Sequence, residues 1–93
     1  MSSTYRVENT NPRVEKQLLR INRKDRSRVA KAILQLEDNP RPFGSIKLTD
    51  GIYRLKIGDY RIIYKIFDET RLVFIGKVDR RAEDTYDDFA DLF

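Results

Sequence analysis

The chain has 93 residues, with 19 Lys and Arg against 15 Asp and Glu, and 40% of it is hydrophobic, which suits one small domain better than two independent cores. It contains no His, Cys or Trp, so a zinc site, a thiol nucleophile, a disulfide framework and a histidine acid or base are excluded from its own residues. The charge is uneven: residues 1 to 40 hold 9 basic and 5 acidic side chains, residues 41 to 81 hold 10 and 5, and residues 82 to 93 hold none and 5. A basic body followed by an acidic terminal stretch points to a polyanionic partner, nucleic acid first. The opening Met1-Ser2-Ser3-Thr4-Tyr5 lacks the basic and apolar regions of a signal peptide. No apolar run reaches the roughly 18 residues of a membrane span, so no membrane partner and a cytoplasmic location are expected.

In chain order, Tyr5-Arg6-Val7-Glu8 alternates as a short strand. It is ended by Asn9-Thr10-Asn11-Pro12, where Asn11 is placed to cap a helix that has proline at its first position. Val14, Leu18 and Ile21 then recur at i, i+4, i+7, one apolar stripe on a helix of about three turns. Asn22-Arg23 breaks it. A second helix is expected from about Lys24, with Val29, Ile33 and Leu36 on one face, Ala30 and Leu34 beside them, and a stop at Asp38-Asn39-Pro40. Pro40, Pro42 and Gly44 impose a loop, and Ile46 to Leu48 forms a bridge or short strand.

From Ile52 to Val78, three β-branched and aromatic segments are separated by Gly58-Asp59 and by Asp68-Glu69-Thr70, the pattern of an antiparallel meander. Gly at the first position of a two-residue loop fits a type II′ turn. It pairs Ile57 with Tyr60, Leu55 with Ile62 and Tyr53 with Tyr64, and sets Lys56 opposite Arg61 on the other face. A three-residue loop at 68 to 70 would pair Tyr64 with Phe74 on the core face and Arg61 with Lys77 on the basic face. Ala82 to Phe93 reads as a last helix, with Ala82, Phe89 and Leu92 available for packing.

Four constellations stand out. Arg54, Lys56 and Arg61, with Arg80 and Arg81 at the end of the last strand, form a cationic cluster. Like charges opposed on a sheet are destabilising, so an anion such as a phosphate, held by Arg forks and a Lys point charge, would relieve them. Tyr86 can stack a base or hydrogen-bond a phosphate if it reaches that face, and is otherwise a core residue. Asp84, Asp87, Asp88 and Asp91 align on one helical face, read as a solvated face or an electrostatic cover rather than a magnesium site. The helical hairpin, with Arg13, Lys16, Arg20, Arg23, Lys24, Arg26, Arg28 and Lys31, is a solvated surface that can also meet the phosphates of a large RNA.

The run Gly51-Ile52-Tyr53-Arg54-Leu55-Lys56-Ile57-Gly58-Asp59-Tyr60-Arg61-Ile62-Ile63-Tyr64 resembles the RelE/ParE superfamily of toxins from toxin–antitoxin modules. The resemblance extends upstream through Asn39-Pro40 to Lys47-Leu48 and downstream to Val78-Asp79-Arg80-Arg81 and Tyr86, so residues 1 to 93 are read as a single domain of this kind. It implies an α+β fold: an N-terminal strand, an αα-hairpin and a three-stranded meander, giving a four-stranded, mainly antiparallel sheet with a short C-terminal helix. For the RelE branch it implies a ribosome-dependent endoribonuclease that cuts messenger RNA in the A site by attack of the 2′-hydroxyl. The implied partners are the ribosome, mRNA, a neutralising antitoxin and, through the toxin–antitoxin complex, operator DNA. No metal or other cofactor is implied.

The resemblance carries the family's catalytic positions onto Arg54, Lys56, Arg61, Arg80 and Tyr86; Lys47, Lys77 and Arg81 are expected to contact the RNA. Lys56 is the expected general base, because Arg54 and Arg61 disfavour its charged form, with Tyr86 as the alternative. Arg54 and Arg61 would stabilise the pentavalent transition state, and Arg80 would neutralise or protonate the departing oxygen. Many relatives have His where Asp79 stands, and Arg81 is the alternative counterpart of Arg80. The ParE branch shares the fold, lacks the RNase cluster and inhibits DNA gyrase, which is the alternative function.

Overall fold

The computed structural model describes residues 4 to 9 and 12 to 80. The elements are β1 (Arg6–Asn9), α1 (Pro12–Leu19), α2 (Arg23–Gln35), β2 (Ser45–Thr49), β3 (Ile52–Ile57), β4 (Tyr60–Phe67) and β5 (Leu72–Arg80). Proline does open α1, as its fixed φ and missing donor favour, whereas Asn11 lies outside the described residues. Asn22, expected only as a break, is the N-cap of α2: its side-chain oxygen accepts from the Asp25 amide at 2.9 Å, and its Nδ2 donates to the Asp25 carboxylate at 3.0 Å. That reciprocal pair satisfies a donor the first helical turn leaves open.

Both helices lie on one face of the sheet. Val14, Ile21, Val29, Ala32 and Leu36 pack there with Leu55, Ile62, Tyr64, Ile66, Val73, Ile75 and Val78. The buried stripe of α2 runs through Ala32, with Ile33 only partly covered, while Ala30 and Leu34 face outward. Tyr64, the largest fully buried side chain, donates its hydroxyl to the Pro40 carbonyl at 2.8 Å. Burial pushes its phenol up to about 12.

The sheet has five strands in the order β1-β5-β4-β3-β2, which corrects the four-stranded expectation. Gly44 and Gly51 adopt φ of 97° and 76°, turns open to glycine at little cost. Between them the chain lays Ser45 to Thr49 antiparallel against β3, with Ile46 opposite Arg54 and Lys47 opposite Tyr53. β1 pairs in parallel with the start of β5, Arg6 to Leu72 through Asn9 to Ile75; every other pairing is antiparallel. The C-terminal helix expected over 82 to 93 lies outside the described residues.

The β3–β4 register is the expected one, from Ile57 with Tyr60 to Tyr53 with Tyr64. Gly58 has φ of 59° and Asp59 is not left-handed, as a type II′ turn requires. The β4–β5 register differs from expectation. Phe67 pairs with Leu72, so the turn spans the four residues Asp68 to Arg71, with Arg71 at φ 56°. A further shift falls between Ile63 and Tyr64, where Gly76 is the extra residue opposite them. Tyr64 therefore meets Ile75 rather than Phe74, and Arg61 meets Asp79 rather than Lys77. Phe74 lies opposite Lys65 and packs edge-on against Phe67, with ring centroids 5.5 Å apart.

One polar cluster ties distant segments together. The Arg41 guanidinium forks onto Asp68 at 3.2 and 2.8 Å, and its Nε donates to the Tyr53 hydroxyl at 3.0 Å. Tyr5 donates to the same carboxylate at 2.7 Å. Arg41, and then Tyr5, hold the Asp68 carboxyl down at about 2. A depressed carboxyl contributes stability that is complete above its unfolded value near 4 and is lost as pH falls through about 2. Asp68→Asn should therefore lower the melting temperature at pH 7, by an amount that shrinks with added salt and narrows as pH drops below 4. A gap constant from pH 7 to pH 2.5 would contradict this.

In the hairpin, a Cβ on Gly58 would sit 3.1 Å from the Arg28 guanidinium, whose flexible end can shift, so the backbone term dominates. Gly58→Ala should cost about 1–2 kcal/mol, the penalty for L-residues in left-handed backbone, read as a lower urea midpoint at unchanged slope.

Candidate functional site

Strict alternation puts directly opposed residues of paired strands on the same face. On the face away from the helices, two rows cross the sheet: Ile46, Arg54, Ile63 and Lys77 form one, and Lys56, Arg61 and Asp79 the next. Arg54, Lys56 and Arg61 are thus brought together on one surface, with Lys77 beside them. Arg54 and Arg61 are half-buried and Lys56 is exposed. The Nε atoms of both arginines are buried without a hydrogen bond, although each residue makes other interactions. Their stems therefore lie along the sheet, as long cationic side chains do over apolar neighbours; Ile63, only 5% exposed, sits in the same row as Arg54.

The cluster is less uniformly positive than expected. Asp79 faces Arg61 across the strand and lies 3.4 Å from the Lys77 ammonium, so direct like-charge opposition is confined to Lys56 and Arg61. The expected register puts Lys77, not Asp79, opposite Arg61; the longer turn and the Gly76 bulge bring Asp79 there.

The remaining expected residues separate from this surface. Lys47 is opposite Tyr53, whose ring stacks on core Tyr64, so it occupies the helix side of the sheet, 3.8 Å from Asp50. Arg80 is opposite Tyr60, also on the helix side. There it lines a cleft of about 330 Å³ with Gln17, Arg20, Ile21, Tyr60, Val78 and Asp79. Gln17 accepts from the Val78 amide at 2.8 Å, at the stretch of β5 beyond the reach of β1. Only its place between Val14 and Ile21 hinted at this in the sequence. Arg81, Tyr86 and the aspartates at 84, 87, 88 and 91 lie outside the described residues. Among the described residues, no three His, Cys, Asp or Glu side chains are grouped to hold a metal ion, and no helix is long and apolar enough to cross a membrane.

The profile of the family described as the ParE toxin of type II toxin–antitoxin systems, parDE, matches residues 9–85. The chain belongs to this family. Several solved structures it is similar to carry the RelE name. The archaeal RelE–RelB complex from Pyrococcus horikoshii OT3 matches at 27% identity over 87% of this chain and 99% of that one, with a TM-score of 0.75. The isolated RelE toxin of E. coli matches at 20% identity over 94% and 95%, with a TM-score of 0.72. The RelBE2 complex of Mycobacterium tuberculosis matches at 24% over 87% and 100%, with a TM-score of 0.69. The latter two establish likeness of fold. No curated protein matches the chain. The protein is a toxin of the RelE/ParE superfamily with a RelE-like fold.

Because Asp79 sits inside the cationic rows, Asp79→Asn should raise the salt concentration needed to elute the protein from heparin, and Arg61→Ala should lower it. Equal elution of Asp79→Asn and wild type would show that Asp79 does not shape the field of this face.

Proposed function

We propose that the protein is a ribosome-dependent endoribonuclease that cleaves messenger RNA and is neutralised by a cognate antitoxin. The observation that carries this reading is the convergence of Arg54, Lys56 and Arg61 on a sheet face opposite the helices. Cleavage through the 2′-hydroxyl needs a proton acceptor for that hydroxyl, donors for charge growing on the phosphoryl oxygens, and a proton or positive charge for the departing 5′ oxygen. Lys56 takes the 2′ proton as the 2′ oxygen bonds to phosphorus. Arg54 and Arg61 hold the equatorial oxygens as the bond to the 5′ oxygen breaks, leaving a 2′,3′-cyclic phosphate on one fragment and a 5′ oxygen whose charge the late arginine offsets until it takes a proton from solvent. No side chain here is a strong acid near neutrality, so positioning of the substrate must supply much of the rate, consistent with a codon presented by the ribosome.

The late arginine that meets the 5′ oxygen is either Arg80 or Arg81. Arg80 is placed across the sheet from the rows of Arg54 and Arg61, and variants at both positions separate the two. The antitoxin partner follows from the family and from the relatives solved as RelE–RelB and RelBE complexes. The matching family profile, named for ParE, supports a second reading, inhibition of DNA gyrase without RNA chemistry.

Primer extension on a defined message in a purified translation system distinguishes the two. Wild type should give cuts within codons only when ribosomes are present, and Arg61→Ala, Lys56→Ala and Arg54→Ala should each lose about 10²-fold or more in cleavage rate while melting as folded proteins. Intact message with continued translation, together with gyrase-linked DNA breaks in cells, would overturn the RNase reading.

A further inference from the structure

The cleft between α1 and the end of β5 is chemically unlike the rest of the helix side. Arg20 from the end of α1 and Arg80 from the end of β5 both line it. Among the described residues neither guanidinium has an ion pair, so two like charges share one concavity. Gln17 turns its amide oxygen to the Val78 N–H, which fixes the amide orientation and leaves the two Nε2 protons as donors at the cleft. Half-buried Tyr60 also lines the cleft. The walls thus combine two cations, a pre-oriented amide donor and an aromatic residue with a single carboxylate, Asp79, which is already 3.4 Å from the Lys77 ammonium, so the balance is positive and suits a phosphate joined to a flat base.

Size and position narrow the occupant. About 330 Å³ is at the small end of ligand pockets, room for a single nucleotide and too little for a helix. Asp79 lines the cleft and is also opposite Arg61, so the end of the sheet alone separates the cleft from the cationic rows.

We infer that this cleft is a nucleotide-phosphate subsite, in which Arg20 and Arg80 hold a phosphate and Tyr60 bears on its base, continuing the path of the RNA around the end of the sheet. The inference rests on the RNA reading above, with Arg81 rather than Arg80 as its late arginine, and extends it to a surface outside the cleavage cluster. The same chemistry would accept a phosphodiester of the bound strand or a free nucleotide.

The test uses the full chain, ¹⁵N-labelled, with three probes: a single-stranded 2′-O-methyl RNA hexamer, which binds and cannot be cut, AMP, and a hexaglutamate peptide. The hexamer should shift the Gln17 side-chain amide and the Tyr60 amide along with signals of Arg61. Arg20→Ala should weaken hexamer binding about tenfold and reduce the slope of log K against log salt by about 1, as loss of one phosphate contact does. Saturation of the cleft signals by AMP at the hexamer's affinity identifies a free-nucleotide site, and response to the hexamer alone identifies a strand subsite; either supports the proposal. Hexamer binding that moves Arg61 and leaves Gln17, Tyr60 and the Arg20→Ala affinity unchanged overturns the subsite and leaves the RNA reading standing. Absence of hexamer binding overturns the subsite, and the RNA reading is then decided by the ribosome-dependent cleavage assay above. Cleft signals moved by hexaglutamate and by neither nucleotide probe overturn the subsite in favour of an acidic protein partner.

Discussion

Alternation through the β3–β4 hairpin is the constraint on which both faces of the sheet depend. Leu55, Ile62 and Tyr64 must point to the helices, and the same parity sends Arg54, Lys56 and Arg61 to the other side. A slip of one residue would drive three cations into an apolar core, at a cost of several kcal/mol for each charge taken out of water. The core and the cationic surface thus enforce each other, and the two-residue turn at Gly58-Asp59 sets the phase for both. The Gly76 bulge then restores phase in β5: Val73 and Ile75 face inward before it, Val78 faces inward after it, and Lys77 and Asp79 are left on the charged side.

What was legible in the sequence was local. A Gly-Asp turn between alternating runs determines a hairpin register by itself, and the proline that opens α1 marks the start of that helix, whereas Asn22 reads as a break and is the cap of α2. The β4–β5 pairing was not legible, because Arg71 adopts a left-handed φ that its residue type does not advertise, and a bulge leaves no mark beyond one glycine. Lys47 is sequence-adjacent to the cationic motif yet faces the helix side, because β2 is a full strand with its own parity. The Arg41–Asp68 fork joins residues far apart in the chain, and no spacing rule reaches that far. The family resemblance was legible from one continuous run, Gly51 to Tyr64, since that run holds both the turn and the cluster.

The chain matches a ParE family profile and superposes on RelE structures, and this mixed affiliation has a physical sense. The shared scaffold consists of a helical hairpin, a meander and a parallel first strand, and none of these elements dictates chemistry. Function in such a fold is decided by what the helix-free face and the sheet ends carry. Here those surfaces carry clustered cations whose charge is locally trimmed by Asp79.

The parallel pairing of β1 with β5 bears on how the protein is made. β1 is synthesised well before its partner at residues 72 to 75, and the amides of Thr4 and Tyr5 bond to the Glu37 carbonyl just after α2. Such a contact closes a very long loop, and pairings of this kind form late and slowly. Until β5 emerges, β4 has no second neighbour and the hairpin bearing Arg54, Lys56 and Arg61 lacks the strand that completes its sheet. A nascent chain interrupted before β5 therefore holds the cations without the surface that arranges them, and the site is assembled only once residues 72 to 80 have been made.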